Sequence, residues 1–167
     1  MAGQSGRRTA LVTGASYGIG AAAAIGLAED GFDVAVTDLA TTPLSRTVAA
    51  IEAAGGRALP LALDLRQQAS VEQAIADTVA SFGALDVLVN NAGVPSPGRP
   101  AIELTRAEWD DNIAVNLTGT WFMSMHSAAI ASAPGGRDAS SAWPRRMARW
   151  AIPTPPPMAL PRRGSVI

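Results

Sequence analysis

The sequence predicts an α/β fold, a doubly wound parallel sheet covered by helices on both faces. Three observations predict it. Short β-rich runs alternate with helical patterns across residues 9–93, as successive βαβ units require. A glycine-rich loop, Thr13-Gly14-Ala15-Ser16-Tyr17-Gly18-Ile19-Gly20, joins the first β-rich run to an alanine-rich helix. Capping residues and glycines fall where the helical patterns start and stop.

The expected strands are Thr9–Thr13, Asp33–Asp38, Arg57–Leu63 and Asp86–Asn90, and the expected helices are Gly18–Asp30, Leu44–Ala54 and Val71–Phe82. Thr42-Pro43 supplies an N-cap followed by proline at the first helical position, where the missing N–H costs nothing. Ser70-Val71-Glu72-Gln73 and Thr105-Arg106-Ala107-Glu108 both fit the capping box. Gly31 and Gly55-Gly56 stand where left-handed C-caps are wanted. From Asp110 to about Ala133 a further helix is expected. Ile113, Leu117, Trp121 and Met125, four apart, share one of its faces, and Met123 and Met125 are expected in the core.

The chain divides at Pro134. Residues 1–133 hold seven Arg against thirteen Asp and Glu, a balance of −6. Residues 134–167 hold six Arg against one acid, Asp138, a balance of +5, and seven of the twelve prolines. The first part reads as one dinucleotide-binding domain, the second as an irregular Arg/Pro-rich tail. The tail carries no base-stacking pattern, so no specific nucleic-acid partner is expected. The chain has no cysteine, which removes disulfides and thiolate metal sites and suits a reducing, cytoplasmic setting. No apolar run reaches membrane-spanning length. His126, the only histidine, stands without cysteine or a paired acid and is expected to be structural or solvated, and Asp110-Asp111 to be a solvated helix face. No metal site is expected.

The glycine loop carries the functional signal. Gly14 permits a tight turn, Gly18 lets backbone approach a phosphate with no Cβ in the way, and Gly20 allows close helix–strand packing. The helix that begins at Gly18 then directs free N–H groups and its positive dipole end at a pyrophosphate. No Gly-Lys-Ser/Thr follows, so a P-loop is excluded. Asp38, eighteen residues after Gly20, ends the second strand. Its carboxylate can accept from the adenine-ribose hydroxyls and repels a 2′-phosphate. The loop offers no Arg or Lys to offset that repulsion, although Arg46 is close in sequence. NAD(H) is therefore favoured over NADP(H).

The order Thr13-Gly14-x-x-x-Gly18-x-Gly20, Asp64-Leu65, Asn90-Asn91-Ala92-Gly93 and Asn116 in Val115-Asn116-Leu117-Thr118-Gly119-Thr120 resembles the short-chain dehydrogenase/reductase family over about residues 8–133. The resemblance implies a Rossmann-type sheet and hydride transfer between a nicotinamide and a secondary alcohol or ketone. It implies cofactor contacts at Gly14, Ser16, Tyr17, Gly18, Ile19, Gly20, Asp38, Leu39, Asp64, Leu65, Asn91, Ala92 and Gly93. Asp64-Leu65 is where members hold the adenine ring. Asn116 matches the asparagine of the family's catalytic set of Asn, Ser, Tyr and Lys. In that set the tyrosine is the general acid/base, and the lysine lowers its pKa.

The chain departs from this pattern after Arg137. It contains no lysine, and its one tyrosine is Tyr17. At family-like spacing Ala159 stands where the tyrosine belongs and Arg163 where the lysine belongs, and Ser140 and Ser141 are weak matches to the serine. The closing Gly164-Ser165-Val166-Ile167 again resembles the family. Residues 138–163 therefore read as frame-shifted text, with a genuine divergent tail as the alternative. The sheet is expected to be truncated after about five strands, with the homo-oligomer contacts incomplete. Two functions remain open: an oxidoreductase crippled in this chain, and a catalytically inactive NAD(H)-binding module.

Overall fold

The computed structural model describes residues 6–131. The tail with Ser140, Ser141, Ala159 and Arg163 lies outside the described residues. Strands β1 (Arg8–Thr13), β2 (Phe32–Asp38), β3 (Ala58–Ala62) and β4 (Val87–Val89) form one parallel sheet in the order β3-β2-β1-β4. A fifth strand, implied by the expected count of about five, would fall beyond residue 131. Helices α1 (Gly18–Glu29), α2 (Ser45–Ala53), α3 (Gln68–Phe82), α4 (Arg106–Ile113) and α5 (Thr120–Ala131) complete the described part.

Strand alternation sorts side chains to the two faces. Ala10, Val12, Val34 and Val36 pack with Ala24 and Ala28 of α1 and Ile51 of α2. Leu11 and Ala35 face the other way and pack with Val71, Ala74 and Ile75 of α3 and Met123 of α5. Each large apolar side chain buried this way contributes about 1.5–3 kcal/mol. The chain fills the sheet outward to β3, then crosses back to place β4 on the other side of β1. That reversal opens a crevice beyond the carboxyl ends of β1 and β4, where doubly wound sheets bind ligands.

The helix ends depart from expectation in two places. α2 begins at Ser45 after Leu44, with no side-chain cap. Thr42-Pro43 instead belongs to a preceding turn, in which Thr42 N donates to Leu39 O at 2.8 Å. α3 begins at Gln68, so Ser70 lies inside the first turn rather than at the cap. Its Oγ accepts from Asp64 N at 3.0 Å, tying the end of the β3 segment to the helix. The Thr105–Glu108 capping box forms as expected. Gly31 and Gly55 take positive φ after α1 and α2, and Gly83 does the same after α3.

A π-helical turn, Ala114–Gly119, separates α4 from α5. The face carrying Leu117, Trp121 and Met125 points outward, with these residues 62%, 56% and 39% exposed. The core face is instead Val115, Gly119 and Met123. Gly119 decides between the two: a Cβ there would stand 2.6 Å from both Cβ and O of Leu65, so the stripe that carries this glycine is the one that can lie against the segment after β3. Met123 is in the core as expected, and Met125 is not. Among the described residues no helix is long and apolar enough to cross a membrane.

Candidate functional site

The crevice is a cavity of about 590 Å³ at the carboxyl ends of the strands. Of the cofactor residues expected from sequence, all line it except Ser16 and Gly20. Arg66, Val94 and Val115 line it as well.

The glycine loop is shaped by close approach. Gly14 has φ +65°, and a Cβ on it would lie 2.8 Å from Ala92 Cα. A Cβ on Gly20 would run into Gly14 O and Asn91 Nδ2. Gly18, at φ +62°, faces open space. α1 starts there after Tyr17 with no side-chain cap and no acid in its first turn, unlike α4 with its capping box. Its first N–H groups and positive dipole end thus remain available to an anion. Tyr17 and Ile19 project from the loop, 78% and 82% exposed.

Thr13 and Asn91 hold the loop in place. Thr13 Oγ1, buried, accepts from the backbone N of Asn91 and of Ala92, each at 3.0 Å. Asn91 Nδ2 donates to Thr13 O at 3.0 Å and Gly14 O at 2.9 Å. On the other side Thr47 Oγ1 of α2 donates to Ala15 O at 2.8 Å. Thr13 and Thr47 were not among the expected site residues. The signal for Thr13 is its position as the last residue of a strand entering a glycine loop; the sequence gives none for Thr47.

Asp38 ends β2 at the cavity. Its Oδ2 accepts from Ser16 Oγ at 2.5 Å and Ser16 N at 3.3 Å, and its Oδ1 from Leu39 N at 2.8 Å. Ser16 therefore acts through Asp38 rather than by lining the cavity. A carboxylate has about four acceptor positions, so one on Oδ1 remains for a hydroxyl. Arg46 lies exposed on α2 and is not among the cavity-lining residues.

After β3, Asp64 is gripped by its neighbours. Arg66 donates through Nε to Oδ1 at 2.8 Å and through Nη2 to Oδ2 at 2.9 Å. Arg66 Nη1 reaches Asp111 Oδ1 of α4 at 3.3 Å. The Arg66 hydrogen bond holds the Asp64 carboxyl below its ordinary value of 3.8. Asp64, and after it Asp111, raise the already high Arg66 value further. Asp111 is thus an ion-pair partner of the cavity wall, not a plain solvated face; Asp110 pairs with exposed Arg106.

Asn116 lies in the π turn and does not line the cavity. Its Oδ1 accepts from Val94 N and its Nδ2 donates to Val94 O, both at 2.9 Å, and Nδ2 also donates to Asn112 Oδ1 at 3.1 Å. It fixes the backbone of a lining residue. His126 bridges α5 to α3, with Nδ1 2.9 Å from Phe122 O and Nε2 3.1 Å from Glu72 Oε1.

A space of this size with an uncapped helix end, a Cβ-free wall at Gly18 and a carboxylate with an open acceptor position fits a dinucleotide. The family model for short chain dehydrogenases matches residues 8–137. A short-chain dehydrogenase/reductase of Hericium erinaceus is 38% identical over 78% of this chain and 53% of its own length. A metagenomic short-chain oxidoreductase solved with NADP superposes with a TM-score of 0.70 at 40% identity, over 74% of this chain and 56% of that one. Carveol dehydrogenase of Mycobacterium avium, solved with NAD, gives 0.69 at 29% identity, over 77% of this chain and 50% of that one. The chain spans about half the length of the curated relatives it matches.

Proposed function

The chain belongs to the short-chain dehydrogenase family, and from that membership we propose that it is the cofactor-binding part of an oxidoreductase that prefers NAD(H) to NADP(H). The observation that carries the reading is the convergence at one cavity of Gly18, the uncapped start of α1 and the Asp38 carboxylate. The Gly18–Gly20 N–H groups would hold a pyrophosphate. Asp38 would accept from an adenine-ribose hydroxyl, and a 2′-phosphate beside it would meet charge repulsion. Ala92, Gly93 and Val94 would line the path toward the nicotinamide end. The dinucleotide, when bound, supplies the hydride exchanged with a secondary alcohol or ketone. Asn116 would fix Val94 along that path, which makes it a positioning residue. Titration of the full chain with NADH and NADPH, followed by nucleotide fluorescence, tests this. Tighter binding of NADH is expected, and equal or reversed affinities would remove the preference.

A second reading is favoured by the absence of lysine and by Tyr17 being the sole tyrosine. These 167 residues hold no Tyr-x-x-x-Lys pair, so NADH would bind without turnover. NADH oxidation with a panel of small ketones tests this: no turnover is expected, and turnover would require a proton donor other than that pair. The family match ends at residue 137, which supports reading 138–163 as frame-shifted text. Resequencing the gene from codon 130 onward tests it: single-base corrections that restore the pair are expected, and an intact frame refutes it.

A further inference from the structure

Resting on the cofactor reading above, we propose that Thr47 of α2 is a positioning residue for cofactor choice. Through the Ala15–Ser16 peptide it aims the Asp38 carboxylate, without touching the cofactor itself.

Two buried threonines stand on the described helices, Thr47 on α2 and Thr78 on α3. Thr78 keeps its hydroxyl within its own helix, donating to Ala74 O one turn back at 2.7 Å, a common solution for a threonine inside a helix. Thr47 sends its hydroxyl to another element. Its Oγ1 donates to Ala15 O at 2.8 Å, with Ser16 O farther off at 3.4 Å. A hydroxyl has one proton to give, so the shorter contact is the one that holds. Ala15 is fully buried, and its N–H donates to Thr37 O of β2 at 3.0 Å. Its N–H is thus held by β2 and its carbonyl by α2.

The Ala15 carbonyl shares one planar peptide with the Ser16 N–H, and in a trans peptide the two point in opposite directions. Gripping the oxygen at one edge therefore fixes where the N–H at the other edge points. It points at Asp38: Ser16 N lies 3.3 Å and Ser16 Oγ 2.5 Å from Asp38 Oδ2. Ser16 takes up Oδ2, and Oδ1, which accepts from Leu39 N at 2.8 Å, keeps a position for the ribose hydroxyl. Without the Thr47 hydroxyl, Ala15 O is a buried carbonyl that has lost its donor, a cost the peptide relieves by turning. That turn draws the Ser16 N–H off Oδ2 and frees the carboxylate to swing. Thr47 does not line the cavity, so its effect on a nucleotide is relayed.

The ratio of NADH to NADPH affinity separates this role from plain support of the fold. The pyrophosphate is common to both nucleotides, so a loosened glycine loop weakens both alike. Asp38 acts on the two in opposite senses, so misaiming it changes their ratio. Dissociation constants for both nucleotides are measured by fluorescence on the full chain, with thermal melts to check folding. Wild type, Thr47→Val and Thr47→Ser are compared, and Asp38→Asn with and without Thr47→Val. Thr47→Val, which exchanges the hydroxyl for a methyl group, should move the ratio toward NADPH by about three- to tenfold, the worth of one hydrogen bond. Thr47→Ser keeps the hydroxyl and should stay within about twofold of wild type. In the Asp38→Asn background Thr47→Val should change the ratio by less than about twofold, because the residue it acts through has already been altered. Should the valine variant not fold, Thr47→Ala is read by the same criterion. A wild type that prefers NADH, with the ratio in Thr47→Val within about twofold of it, overturns the proposal alone, even if both nucleotides bind more weakly. A serine variant that behaves like the valine variant overturns it too, as does a shift that persists undiminished in Asp38→Asn. A wild type that binds neither nucleotide, or both equally, overturns the cofactor reading and the proposal together.

Discussion

Replacing Asp38 with asparagine separates the two forces proposed to act on the cofactor at the end of β2. The side chain keeps its shape and loses its charge. For NADH the loss is a charge-assisted hydrogen bond from a ribose hydroxyl exchanged for a neutral one, a difference of about 1 kcal/mol. Ser16 adds to it: its N and Oγ, 3.3 and 2.5 Å from Oδ2, must reorient if the new amide nitrogen takes that position. For NADPH the sign reverses. Two unit charges about 4 Å apart repel by about 1 kcal/mol in water and about 4 kcal/mol at the effective dielectric of a partly covered site. Asp38 is half-buried at the cavity, so the relief lies between those limits. The ratio of the two affinities should therefore move toward NADPH by about 2–5 kcal/mol, a factor of thirty or more. Parallel fluorescence titrations at fixed ionic strength measure it. A ratio that stays within about twofold of wild type would show that Asp38 does not face the ribose.

The glycines separate shape from stability. Gly18→Ala meets open space and should cost the fold only about 1–2 kcal/mol for its left-handed backbone, yet weaken NADH binding strongly; equal affinity would place the phosphate elsewhere. Gly20→Ala drives a Cβ into Gly14 O and Asn91 Nδ2 and should cost about 1–3 kcal/mol or more in a denaturant melt, because backbone has to move. In acid, Asp64 and Glu108 set the trend. Arg66 hydrogen bonding lowers the first below 3.8, and the Thr105 backbone N–H lowers the second below 4.5. Both contributions are present above those values and lost as pH falls through the depressed ones, so melting temperature should be level from about pH 7 to 5 and fall below about pH 4, with a shallower fall in Glu108→Gln. Leu117, Trp121 and Met125 form an exposed apolar face, so the chain is expected to self-associate in sizing experiments; a monodisperse monomer counts against that.

Periodic signals in the sequence were legible where they had one solution. The β-rich runs became the four strands: β1 and β2 are buried on both faces at the middle of the sheet, and β3 and β4 flank them half-buried. Gly31 and Gly55 marked real left-handed ends. The stripe at 113, 117, 121 and 125 was visible too, but a second stripe of the same period runs through 115, 119 and 123. Spacing alone does not rank them. The ranking comes from Leu65, which Gly119 lies against, a contact between segments fifty-four residues apart in sequence. Ser70 misled for a related reason: its hydroxyl is a good cap, but the Asp64 N–H competes for it. The Arg66 clamp was invisible, since a basic residue beside an acid is usually solvated and nothing local announces Asp111 as its third party.

The glycine loop looks like a local motif and is half of a joint. β1 and β4 share only the pairs Ala10–Val87, Leu11–Leu88 and Val12–Val89. Beyond Val89 the ladder stops, and side chains continue the work: Thr13 Oγ1 takes the two N–H groups of Asn91 and Ala92, and Asn91 returns its amide to Thr13 O and Gly14 O. Gly14 needs its positive φ and its missing Cβ because Ala92 lies against it, and Gly20 because the Asn91 amide does. Four of the hydrogen bonds that shape the glycine loop thus join it to residues more than seventy positions downstream. Read singly, Gly-x-x-x-Gly-x-Gly and Asn-Asn-Ala-Gly are two turns. Read together they are complementary surfaces, and the shape of the glycine loop depends on β4 lying beside β1.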